Sequence, residues 1–108
     1  TVREELRKTW RTLEDYVRDG VGEREQVYAR LSAYNQHLEE ALRFADSVVP
    51  PSSLETEHAQ RQLTYSLALE ATVAALAHLD LGGEELLQRA EHRHNDALAE
   101  FHKLGAGS

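Results

Sequence analysis

Three breaks cut this sequence into four segments, and every segment repeats its apolar residues at helical spacing. The breaks are Asp19-Gly20-Val21-Gly22, Val49-Pro50-Pro51-Ser52 and Leu81-Gly82-Gly83. Glycine and proline packed this closely end regular structure. Between them, apolar residues recur at intervals of three and four, the signature of one face of an α-helix.

The first segment, about 2–19, carries Leu6, Trp10, Leu13 and Val17. Thr1 and Glu4 fit a capping box, so the helix is expected to begin there, and Gly20 is placed to end it. The second segment, about 23–48, has the cleanest stripe: Val27, Leu31, Tyr34, Leu38, Ala41, Ala45 and Val48, with Glu25, Glu39 and Arg43 opposite. The third, about 53–80, follows Pro50-Pro51, and Ser52 with Glu55 predicts a second capping box. From Leu63 onward it is apolar nearly all round. The fourth, about 84–104, keeps Leu87, Ala90, His94, Ala97, Phe101 and Leu104 on one face, with Glu84 and Glu85 in the first turn where the helix dipole favours acids.

Short connections force neighbouring helices to run antiparallel. The expected fold is therefore all-α, an antiparallel up-and-down four-helix bundle in a single domain over 1–104, with a disordered tail at 105–108. Composition agrees. Ile is absent, and Ala, Leu, Glu, Arg and Gln dominate the 108 residues, which favours helices over sheet. The preference for Arg over Lys points to a GC-rich bacterial source.

Net charge is −7, and no run of adjacent Lys or Arg exceeds two residues. An acidic domain repels phosphate backbones and anionic lipid heads, so nucleic acid and membrane surface are poor partners. The third segment is interrupted by Glu70 and His78 and falls short of the ~20 apolar residues a bilayer span needs, so no membrane insertion is expected. Cysteine is absent, which excludes disulfides and thiolate metal sites. Methionine is absent even at position 1, as expected of a processed or excised form.

Folding the chain at its breaks sets the helices at axial levels: residue 30 near 11, 71 near 30, and 94 near 71. The second and third helices are the longer pair. Residues from about 40 to 60 therefore overhang the other two helices by on the order of 10–15 Å at 1.5 Å per residue. Leu42, Phe44, Val48, Val49 and Leu54 fall there. Either this corner curls and packs on itself, or it is a contact surface, because contiguous exposed apolar residues mark interfaces. A second candidate surface is the Ala-rich face of the third helix. Ala71 and Ala74, with Ala68, Ala75 and Ala77, would let a partner helix approach closely, unless they are simply good helix formers.

Metal chemistry has one opening. Glu55-x-x-His58 and Glu91-x-x-His94 each match the carboxylate–histidine element of di-metal bundles. The two motifs stand roughly 20 Å apart along the bundle by helical rise, and the second helix has no carboxylate between Glu25 and Glu39. No two histidines fall at i, i+4, and His92 with His94 point to different faces. The weak candidates for a metal are Glu70, Glu91 and His94. His94 sits on the seam, level with Glu70 and one turn from Glu91, so it is read either as a core histidine donating to one of them or as part of a polar, pH-sensitive pocket. His37, Glu4 or Glu5, and His102 share another level and read as solvated surface. No phosphate loop or nucleophile–base arrangement is present, and no cofactor is implied.

Pro-Pro-x-x-Leu-x-x-x-His at 50–58, opening a long Ala/Leu helix, resembles small helical domains of bacterial exported proteins. The resemblance implies an extracytoplasmic location. The sequence therefore predicts a non-enzymatic interaction module, self-associating as a homodimer or docking a protein partner through the 42–54 corner, the Ala-rich face, or both. A ligand- or pH-sensing bundle built on His94 and Glu70 is the alternative.

Overall fold

The computed structural model describes residues 1–105; the expectation of a disordered tail falls mainly on residues 106–108, outside the described residues. Four helices pack as an all-α bundle: α1 Val2–Asp19, α2 Arg24–Ser47, α3 Glu55–Leu81 and α4 Glu84–Leu104. A single 3₁₀ turn, Ser52–Leu54, precedes α3. Long-range side-chain contacts show the alternating direction. Arg24 at the start of α2 meets Asp80 at the end of α3, Asp46 at the end of α2 meets Gln62 near the start of α3, and Arg18 at the end of α1 meets Glu91 near the start of α4.

The helix ends follow local chemistry. The Thr1 hydroxyl accepts from the Glu4 amide at 3.1 Å, and the Glu4 carboxylate lies 3.6 Å from the chain's amino group. Gly20 closes α1 in the left-handed region at φ 66°, donating to Tyr16, while Val21 donates to Asp15. That geometry costs a glycine little and other residues more. The expected capping box at Ser52 does not form. Pro51 leads into the 3₁₀ turn, whose backbone bonds from Leu54 to Pro51 and from Glu55 to Ser52 occupy the donors that a Ser52 side chain was expected to satisfy. Leu54, not Ser52, stands at the start of α3.

The core has two storeys. One gathers Trp10, Leu13, Val27, Leu31, Ala71, Ala74, Ala75 and Ala90. The other gathers Leu6, Tyr34, Leu38, Tyr65, Ala68, Ala97 and Phe101. The large side chains come mostly from α1, α2 and the end of α4. The centre of α3, which packs against both α2 and α4, is left room only for small side chains, alanine and threonine. Ala71 and Ala74 are therefore interior residues, fully or almost fully buried. The expectation that they form an outward docking face is corrected: small side chains here permit close packing within the bundle, and α3 turns Leu63, Glu70 and Val73 to solvent instead.

Candidate docking surface and polar clusters

The corner between α2 and α3 is exposed because α1 starts too late to cover it. The Tyr34 hydroxyl donates to the Val2 carbonyl at 2.8 Å, and His37 Nδ1 lies 2.7 Å from a Glu5 carboxylate oxygen. The first turn of α1 is thus level with residues 34–38, and the last turns of α2 have no α1 neighbour. Past Leu38 the stripe stays covered at Ala41 and Ala45 and opens at Val48, while apolar residues beside it stand in solvent. Phe44 is 72% exposed, Val48 40%, Val49 92% and Leu54 46%; Leu42 is half-buried. Beside the Phe44 ring opens a cavity of about 360 Å³, lined by Ala41, Phe44, Ala45, Val48, His58, Arg61 and Tyr65. The corner is held locally. Asp46 accepts from Gln62 at 2.9 Å across it, and the Ser47 hydroxyl donates to the Phe44 carbonyl at 2.7 Å.

The three metal candidates do not converge. Glu70 lies on the surface and pairs with Arg93 at 3.1 Å, and Glu91 pairs with Arg18 at 3.2 Å. His94 turns inward and stacks on Trp10, with ring centroids 4.2 Å apart and planes 5° from parallel. Its Nδ1 is buried without a hydrogen-bond partner, and burial lowers its pKa to about 4. The expected bond from His94 to Glu70 or Glu91 is corrected on that geometry. Both carboxylates stay solvated because arginines reach them there, whereas drawing one inward would cost its desolvation. Among the described residues, no group of three His, Asp or Glu is placed to hold a metal ion.

No family model matches this chain, and neither do the curated proteins or the solved structures.

No described helix is long and apolar enough to cross a membrane. His37 and Glu5, expected as solvated neighbours, do meet at the surface. Two features escaped the sequence reading. His92 has Asp96 four residues on and lies 3.7 Å from it, an exposed i, i+4 pair. Arg3, Arg7 and Arg11 share one face of α1 at intervals of four, with Lys8 alongside. A search for adjacent cations passes over them, whereas a search at helical spacing finds them.

Proposed function

We propose that this chain is a non-enzymatic helical docking module that self-associates through the α2–α3 corner. The observation that carries the reading is the corner between α2 and α3, where Phe44, Val48, Val49 and Leu54 stand exposed beyond the start of α1. Scattered surface leucines are ordinary, but a contiguous apolar patch of this kind marks an interface.

A second copy of the chain suits the patch. A two-fold interface uses the same patch on both subunits, so the patch must complement itself. Here a protruding ring, Phe44, stands next to an apolar cavity that the same ring helps to line. Two such corners can exchange ring for cavity. Burying a phenylalanine that is otherwise exposed is worth about 1.5–3 kcal/mol, and the four apolar side chains of each copy supply the dry centre such an interface needs.

Sedimentation equilibrium over a wide concentration range tests this. The reading expects a monomer of 12.2 kDa at high dilution and a species of twice that mass as concentration rises. Phe44→Glu should hold the mass at the monomer value throughout. A wild-type chain that stays monomeric at every concentration contradicts self-association.

A further inference from the structure

Arg3, Arg7 and Arg11 stand on successive turns of α1, with Lys8 between the last two. Side chains at i, i+4 are helix-surface neighbours, so like charges placed there repel. Carboxylates also stand at helical spacing here: Glu4 and Glu5 lie four and three residues before Lys8, and Glu14 and Asp15 three and four after Arg11. Arg18, Arg24, Arg61, Arg93 and Lys103 each hold a carboxylate within ion-pair distance. Among the described residues, Arg3, Arg7, Lys8 and Arg11 have none within 4.0 Å, and neither do Arg30, Arg43 and Arg89; what sets the first four apart is that they stand together on one helix. Glu4 and Glu5 on the same helix are turned to the amino terminus and to His37.

Arg7, Lys8 and Arg11 enclose an open cleft of about 420 Å³ that they line alone. Next to it, the Nε of Arg3 is buried without an acceptor, a donor left unsatisfied at a cost. On the other side of the Arg7–Arg11 pair the surroundings change: Trp10, Glu14, Asp15 and His94 complete a second, smaller cleft. Its two carboxylates would turn an anion away, and Glu5, which lines a further cleft with Lys8, is held by His37, so an anion's place is the cleft lined by Arg7, Lys8 and Arg11.

We propose that the Arg7–Lys8–Arg11 cleft is a binding site for a phosphate group. Two guanidinium forks suit the bidentate geometry of phosphate oxygens, and the ammonium adds a point charge. Three cations lining one cleft match a doubly charged phosphate better than a singly charged carboxylate. The net charge of −7 does not prevent this, because at physiological salt charges beyond about 8 Å are largely screened and the local cations dominate.

Inorganic phosphate and a phosphoserine peptide with neutral flanks, each titrated into isotopically labelled protein against chloride at equal ionic strength, test the site. The site predicts saturable NMR shifts on the Arg7 and Arg11 side chains and a phosphate-dependent rise in melting temperature, since a ligand for the native state stabilises it. Arg7→Gln and Arg11→Gln should each weaken binding roughly tenfold, as loss of a charge-assisted pair does. Both positions are on the surface, so each change should leave the melting temperature of the phosphate-free protein close to that of the wild type. Equal affinity for the two probes identifies a free anion as ligand, and a peptide bound at least roughly tenfold more tightly identifies a phosphorylated segment; either upholds the site. Shifts that never saturate, that chloride reproduces, or that persist unchanged in both variants overturn it.

Discussion

The indole of Trp10 lies flat on the imidazole of His94, 4.2 Å between centroids and 5° from parallel. This contact joins α1 to α4 at the middle of the bundle. It also encloses a titratable ring whose Nδ1 has no partner, so the neutral imidazole is the form the fold accepts.

Stability should therefore fall in acid through His94. Burial lowers its pKa from 6.5 to about 4. Between those values the unfolded chain takes up a proton that the native chain refuses. The contribution is fully present above pH 6.5, is lost progressively as pH falls to about 4, and amounts to roughly 3 kcal/mol by linkage. His94→Phe keeps a ring against Trp10 and removes the orphaned nitrogen. It should flatten this part of the pH profile and raise stability at pH 5. Urea unfolding at a series of pH values measures both, and fluorescence follows it cleanly because Trp10 is the only tryptophan.

The interior position of Ala71 gives a second test. Ala71→Leu adds three carbons where α3 meets Trp10, Leu13 and Leu31 in one cluster, and overpacking of this kind costs about 1–3 kcal/mol. Val73→Ser, on the exposed side of the same helix, should stay within about 0.5 kcal/mol of wild type. Chemical denaturation of the two variants compares them directly. Equal, small effects would mean that the Ala face is not packed.

Gly20 supplies a third. A Cβ built there meets nothing within 4 Å, so any cost of Gly20→Ala comes from the backbone at φ 66°. That conformation costs a non-glycine residue roughly 1–2 kcal/mol, and thermal unfolding should show a loss of that size. Gly20→Asn should lose less, because asparagine tolerates the left-handed region.

The helices were legible in the sequence because glycine and proline punctuate it and the apolar period never lapses between the breaks. Their bounds agree with the spacing to within two residues, for instance Arg24–Ser47 against an expected 23–48. The exposure of Phe44, Val48, Val49 and Leu54 was legible from axial arithmetic alone, but the expected overhang of residues 40–60 past both other helices is shorter, since Ala45 is buried and Gln60 donates to the Glu100 carbonyl of α4. What failed was angular. Ala71 and Ala74 lie on a helix apolar nearly all round, and such a helix has no polar face to say which side turns inward. Glu70 was placed at the right height beside His94, but height does not fix direction, and an exposed arginine, Arg93, holds the carboxylate at the surface. The Ser52 cap failed for a local reason, since the backbone of the 3₁₀ turn took the bonds that the hydroxyl was assigned.

The corner can be tested residue by residue. Phe44→Glu should leave folding stability within about 0.5 kcal/mol of wild type, because the ring is already in water in the single chain. Backbone amide spectra of the wild type, recorded from dilute to concentrated solution, then report where copies meet. The account predicts concentration-dependent shifts centred on residues 41–61, absent in Phe44→Glu. Spectra that do not change with concentration, or that change on a face away from this corner, would contradict it.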